Sequence, residues 1–140
     1  MPPEFQVQVV VGSRIEYIDA LHALAEEMAR IAGLAEEERF SFALAVREAV
    51  TNAVTHGNGE DRGKKVTLTF ALDKTCLVAA VADEGKGFGF DDVKDPRLVE
   101  NRFKPSGRGL LLIRSFVDEV VYDFDPGRGC ELRLVKHLVE

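Results

Sequence analysis

The sequence predicts an α/β two-layer sandwich in which about three helices cover one face of a mixed, mostly antiparallel sheet. Three observations support this class. Some stretches alternate apolar and polar residues as strands do, others repeat apolar residues at helical spacing, and the chain ends in two strand-like stretches around a turn. With 140 residues, the chain fits a single domain, 1–140, and can bury a core without disulfides or a structural metal.

The first half of the chain predicts one strand followed by two helices. Residues 5–11 alternate as a strand, and Ser13 and Glu16 have the spacing of a capping box, which predicts that a helix starts there. Apolar residues at helical spacing continue that helix to residue 32. Acidic residues then open a second helix, which we expect to span residues 36–56.

The second half predicts two strands, a short helix and a final hairpin. Residues 65–72 alternate as a strand with one buried face. Residues 76–82 are apolar without alternation, which is typical of a central strand covered on both faces. Residues 107–116 predict the third helix, and residues 119–124 and 130–137 predict the hairpin strands.

Composition excludes several classes of protein. The formal net charge is −6, whereas nucleic-acid binding leaves a basic footprint, so we expect no direct contact with DNA or RNA. Cys76 and Cys130 stand among apolar residues without metal-ligand spacing, which predicts two reduced thiols. No stretch reaches the roughly 18 apolar residues of a membrane span, and no secretory leader is apparent. We therefore expect a cytoplasmic protein without membrane contact.

The predicted second helix contains an unusual polar stripe within an apolar run. Glu48 and Asn52 lie four residues apart on one helix face, and His56 continues the line one turn later. Flanking alanines favour partial burial of this stripe, and buried polar groups need a hydrogen-bond partner or a ligand. Two interpretations stay open from these residues alone, a ligand site or the solvated side of an amphipathic helix. His56 is expected to serve the helix end through the helix dipole.

Two glycine-bearing stretches follow the predicted strands. Residues 83–89, DEGKGFG, come directly after the central strand, and an aspartate there can accept a hydrogen bond from a ring amino group. Residues 106–113, SGRGLLLI, lead into the third helix, whose free amides favour phosphate. A capped turn and a plain loop-to-helix junction are the alternatives. Residues 84–106 lack periodicity, and a loop of this length favours a lid.

Together these three blocks resemble the Bergerat-type (GHKL, histidine kinase-like) ATPase superfamily, which includes gyrase, the Hsp90 chaperones, histidine kinases and MutL. EAVTNAVTHG is similar to its N-box, DEGKGFG to its first glycine box and SGRGLLLIRSFVDEV to its second. Within the superfamily, the chain most resembles the small bacterial anti-sigma factor serine/threonine kinases. The resemblance implies a Bergerat-type ATP-binding fold with an ATP lid at about residues 84–106.

The resemblance also implies roles for individual residues. Asn52 would coordinate the Mg²⁺ that bridges the ATP phosphates, and Glu48 would act as general base or orient the attacking hydroxyl. Asp83 would bind the adenine amino group, with Gly85 and Gly87 shaping the pocket beside it.

The remaining implied site residues lie towards the end of the chain. Gly107, Arg108 and Gly109 would close over the phosphates, with Arg108 stabilising charge on the transferred group. Cys130 stands where the family commonly has a threonine that supports the adenine site through water. Because a thiol is a weaker hydrogen-bonding group, we expect altered adenine affinity.

The function implied by the resemblance is that of an ATP-dependent protein serine/threonine kinase acting as an anti-sigma factor. It would phosphorylate a STAS-type anti-sigma factor antagonist and sequester a sigma factor, as a homodimer. One alternative is a nucleotide-dependent sequestration module with little or no kinase activity. Another is an orphan histidine-kinase catalytic domain, which would phosphorylate histidine on a partner.

Overall fold

The computed structural model describes residues 4–85, 107–125, 127 and 129–138. The elements in chain order are β1 (Phe5–Gly12), α1 (Ile18–Ile31), α2 (Glu36–Asn52), β2 (Lys65–Leu72), β3 (Cys76–Asp83), α3 (Gly107–Phe116), β4 (Glu119–Asp125) and β5 (Gly129–His137). A 3₁₀ turn, Ile15–Tyr17, precedes α1, and a π-helical turn, Ala53–Gly57, follows α2 directly. The predicted α/β fold class is confirmed.

The five strands form one sheet in the order β1-β2-β3-β5-β4. Every strand pairing within the described ranges is antiparallel. β3 is therefore the central strand, and its carboxyl end, Asp83, lies opposite Cys130 near the start of β5. This register brings two predicted site residues, far apart in the sequence, to one edge of the sheet.

The core lies between the helices and one face of the sheet. Phe42 of α2 and Phe70 of β2 are both fully buried, and their ring centroids lie 6.4 Å apart. Ile113 anchors α3 to the same core. Burial of these side chains, each worth about 1.5–3 kcal/mol, holds α2 against the sheet.

Two sequence predictions about these elements are wrong. Ser13 does not cap α1, because its hydroxyl donates to the Lys64 carbonyl at 2.7 Å, and α1 has no side-chain cap. β3 is not covered on both faces. Its inward residues belong to the core, while Val78, Ala80 and Ala82 on the other face are only half-buried. Small apolar side chains on that face explain the missing alternation.

Two further observations concern the chain as a whole. None of the helices in the described ranges is long and apolar enough to cross a membrane. Gly87 and most of the predicted lid, residues 86–106, lie outside the described residues.

Candidate functional site

Asn52, at the end of α2, is the most constrained polar residue of the candidate site. It is only 4% exposed, and its Nδ2 atom is buried without a hydrogen-bond partner. It faces a small cavity of about 20 Å³, lined by Ala49, Asn52, Ala53, Val81, Asp83, Tyr122, Cys130 and Leu132. An unpartnered buried amide costs free energy, so its presence in a cavity points to a ligand.

Glu48 lies one helical turn before Asn52. Its side chain is half-buried, and within the described ranges it has neither a hydrogen bond nor an ion pair. Glu48 is not among the residues that line the Asn52 cavity. Glu48 therefore lies outside the cavity wall, with a carboxylate that other described residues do not engage.

Asp83 ends β3 and supplies the acidic group of the cavity. Burial raises the pKa of its carboxyl above the usual range, while a hydrogen bond from the Gly85 amide, at 2.8 Å, acts in the opposite direction. Ionisation of Asp83 is opposed because its surroundings are largely apolar. Asp83 also lines the cavity, and a carboxyl group there can accept a hydrogen bond from a ligand.

Glycines allow the backbone to pack directly against Asp83. A Cβ atom on Gly57 would overlap the Asp83 carboxylate, and a Cβ atom on Gly85 would overlap the Gly57 carbonyl. Gly129 has a φ of +125°, and a Cβ atom there would overlap the Asp83 carbonyl. The end of the α2 segment, the end of β3 and the start of β5 are thus in mutual contact.

Asn58 fastens these segments to one another. Its Nδ2 donates to Ser13 Oγ at 2.7 Å and to the Lys65 carbonyl at 3.0 Å, and its Oδ1 accepts from the Glu84 amide at 2.8 Å. Glu84 in turn accepts from the Lys65 amide at 2.6 Å. Asn58 is only 3% exposed. It joins the segment after Asn52 to the residue after Asp83.

The sequence-predicted site residues are thus partly brought together. Asn52, Asp83 and Cys130 line one cavity. Gly107 and Gly109 open α3 as expected, but the Arg108 side chain lies outside the described part of the structure.

Sequence reasoning missed four residues of this region. These residues are Gly57, Asn58, Tyr122 and Gly129, and the sequence motifs assign none of them to the site. The one sequence signal for Asn58 is its position between two glycines directly after the polar stripe.

His56 is exposed in the π-helical turn, a rare conformation that is frequent at functional sites.

The sheet order, the helices on one face and the carboxylate cavity at the end of β3 define a GHKL-type ATPase fold. The family model for the histidine kinase-like ATPase domain matches residues 11–136, and the chain belongs to this family. The predicted family is therefore confirmed.

Two individual proteins are similar in sequence to this chain. The chain is 36% identical over 97 residues to the anti-sigma F factor of Bacillus velezensis, a match covering 66% of this chain and 65% of that protein, just under two thirds. It is 30% identical over 120 residues to the serine-protein kinase RsbW of Bacillus subtilis, covering 81% of this chain and 75% of that protein.

A solved structure shows the same fold. The crystal structure of the RsbU and RsbW domains of a Mycobacterium tuberculosis protein matches with a TM-score of 0.69 at 20% identity. The match covers 97% of this chain and 33% of that one. At this identity the likeness establishes the fold.

Proposed function

We propose that this chain is an ATP-dependent protein serine/threonine kinase that acts as an anti-sigma factor. It would phosphorylate an anti-sigma factor antagonist and, in the alternate state, sequester a sigma factor. The observation that carries the proposal is the buried, unpartnered Nδ2 atom of Asn52, in the wall of a cavity that Asp83 also lines. The names of the relatives, an anti-sigma F factor and a serine-protein kinase, support the same activity.

The residues present fit a magnesium nucleotide. The described residues include no cluster of three or more His, Cys, Asp or Glu side chains able to hold a metal ion. Mg²⁺ is often bound by one or two protein oxygens together with substrate phosphates, so the Oδ1 atom of Asn52 is the atom that would coordinate it, while Nδ2 would donate a hydrogen bond to a ligand. The ion would neutralise charge on the phosphates.

The other residues would divide the remaining work. Glu48 would accept the proton of the attacking hydroxyl, and Asp83 would accept a hydrogen bond from the adenine amino group. Gly107, Arg108 and Gly109 would surround the phosphates, with Arg108 stabilising charge on the transferred group.

Phosphorylation supplies the switch between partners. A phosphoryl group adds roughly 1.5–2 negative charges to the antagonist. This charge would release a STAS-type antagonist from the kinase and leave a homodimer free to bind sigma factor in the cytoplasm.

Phosphate transfer tests the proposal directly. The full chain would be incubated with Mg²⁺, γ-labelled ATP and a STAS-type antagonist encoded in the same genome. Acid-stable phosphoserine or phosphothreonine is expected. Glu48→Gln should reduce transfer by about 10²–10⁴-fold, the usual contribution of a general base, and leave ATP affinity unchanged. Glu37→Gln, an exposed acid on the same helix, is the matched control.

The outcomes separate the proposal from its rivals. ATP binding without transfer by the wild type would leave a nucleotide-dependent sequestration module. Acid-labile phosphohistidine on a partner would instead indicate a histidine-kinase catalytic domain.

Asn52→Ala gives an independent readout. Because Nδ2 has no partner, its removal should change the free energy of unfolding little while Mg²⁺-dependent ATP affinity falls. A large loss of stability with unchanged affinity would assign Asn52 to the core instead.

A further inference from the structure

Phe40 is an exposed aromatic residue on the outer side of the helical layer. It is 58% exposed, whereas Phe42, two residues later on α2, is fully buried. The Phe40 side chain lines an open groove of about 870 Å³ between the second half of α1 and the first turns of α2. Aromatic side chains are enriched in protein–protein interfaces. This α1–α2 groove can therefore receive an apolar side chain of a partner.

A ridge of side chains on α2 connects the groove with the proposed general base. Phe40, Leu44 and Glu48 follow one another at intervals of four residues, so they lie along one ridge of the helix. Phe40 is exposed, and Leu44 and Glu48 are half-buried. At a rise of 1.5 Å per residue, this ridge is about 12 Å long. The solvent-facing side of α2 thus leads from the groove to the Glu48 carboxylate.

A protein that brings a hydroxyl to Glu48 approaches this side of α2. The hydroxyl oxygen must come within about 3 Å of the base. A folded partner of about 100 residues has a radius of gyration of about 13 Å. Such a partner is wide enough to reach Phe40 while its hydroxyl lies at Glu48. The α1–α2 groove therefore falls within the area that an acceptor protein would cover.

The charge of the groove indicates the chemistry of that partner. Four glutamates and two arginines line it, so negative charge predominates. Arg30 donates to Glu27 Oε1 at 2.8 Å, which neutralises one of the positive charges within the groove. The exposed Glu36 has neither a hydrogen bond nor an ion pair within the described ranges. A lysine or arginine beside an apolar side chain complements this surface.

We propose that the α1–α2 groove is the docking site of the phosphoacceptor protein, which places an apolar side chain against Phe40 and a basic side chain beside Glu36. This inference rests on the proposed kinase function and adds to it a substrate contact outside the nucleotide cavity. The contact holds the acceptor equally before and during transfer, so it contributes to affinity and not to the chemical step.

Phe40→Ala separates docking from chemistry. Loss of an apolar anchor weakens a protein interface by about tenfold or more. The KM for the STAS-type antagonist should therefore rise about tenfold, while kcat and the affinity for Mg-ATP stay within about twofold. Phe40→Leu keeps much of the apolar area and should recover part of the loss.

Val10→Ala is the control for these measurements. Val10 is 51% exposed. Its neighbours Val9 and Val11 pack towards the core, so Val10 lies on the face of the sheet that points away from the helices. This variant should leave both the KM for the antagonist and the affinity for Mg-ATP unchanged.

Two further measurements test the position and the charge of the docking site. Photoreactive p-benzoylphenylalanine at position 40 of the full chain should cross-link to the antagonist, whereas the same group at position 10 should not. Glu36→Lys should weaken antagonist binding at low ionic strength, and the loss should shrink as salt is added, because salt screens exposed charges.

The outcomes distinguish failure of this inference from failure of the proposed function. Transfer by Phe40→Ala with an unchanged KM for the antagonist would overturn the docking site and leave the kinase activity intact. A cross-link from position 40 to a sigma factor or to a second copy of this chain, and none to the antagonist, would overturn it as well. If the antagonist cross-links at position 40 but receives no phosphate from wild type, the docking site stands and the proposed kinase activity is wrong.

Discussion

Replacing Asn58 with alanine should be among the most damaging single changes outside the hydrophobic core. The amide joins three distant segments through Ser13, Lys65 and Glu84. Alanine keeps the backbone conformation available but removes all three hydrogen bonds. The two backbone groups, the Lys65 carbonyl and the Glu84 amide, would lose their Asn58 partner.

The expected cost follows from these contacts. Each net hydrogen bond contributes about 1 kcal/mol, and a buried group left unsatisfied costs about 1–3 kcal/mol. The bond to Ser13 is buried, whereas those to Lys65 and Glu84 are only partly buried, and water can replace part of the latter two. We expect a loss of about 3 kcal/mol, a large share of a typical 5–15 kcal/mol, and a Tm lower by about 10 °C.

Urea unfolding followed by circular dichroism measures this loss. Gln8→Ala is the matched control, because the Gln8 amide donates to Thr69 Oγ1 at 3.3 Å on the exposed side of the sheet. The control should stay within about 0.5 kcal/mol of wild type. Ser13→Ala should fall between the two, since it leaves the contact of Asn58 with Glu84 intact. If Asn58→Ala matches Gln8→Ala at the same m-value, the proposed junction does not hold these segments.

Three other changes test the packing and electrostatics of the same region. Gly57→Ala should lower both stability and ATP affinity, because its Cβ atom would overlap the Asp83 carboxylate. Gly12→Ala is the control, because a Cβ atom there meets only ordinary contacts. If thermal melts and nucleotide titrations show equal effects for the two variants, the close approach of Gly57 to Asp83 is unimportant. Burial raises the folded-state pKa of Asp83 above its ordinary value of 3.8, so ionisation of this carboxyl opposes folding. We therefore compare the free energy of unfolding of wild type with that of Asp83→Asn. The value for wild type minus that for the variant should fall as pH rises from below 3.8. A difference that stays constant between pH 3 and 7 would refute this. Phe42→Ala should lower the free energy of unfolding by about 3–5 kcal/mol. Phe40 is 58% exposed, so Phe40→Ala should lower it by about 0.5 kcal/mol or less. Similar urea midpoints for the two variants would argue against the assigned core.

The periodic elements could be predicted from the sequence because their signals are local. The third helix was predicted at residues 107–116 and is observed as Gly107–Phe116, and the strand predicted at residues 65–72 is observed as Lys65–Leu72. The residues Asn52, Asp83 and Cys130 were also found, since a polar residue in an apolar run or at a strand end stands out locally. Their functional roles stay predictions.

Features that depend on distant partners could not be predicted. Asn58 is 45 residues from Ser13 and 26 from Glu84 in the sequence, so no local pattern reveals the junction. The same contacts explain the wrong capping box. Ser13 has the correct spacing to Glu16, but hydrogen bonds with Asn58 and Lys64 engage its hydroxyl instead. Tyr122 looked like an ordinary strand residue until the register placed it beside Cys130.

The contacts around Asp83 should affect the affinity with which a ligand binds. Asn52 and Asp83 belong to different elements, yet their segments are joined by the Gly57–Gly85 contact and by Asn58. Backbone packing and a buried amide thus set the spacing between the two groups before any ligand arrives. A pocket ordered in this way loses less conformational freedom on binding. The Asn58 junction should therefore affect ligand affinity as well as stability, although Asn58 does not line the Asn52 cavity.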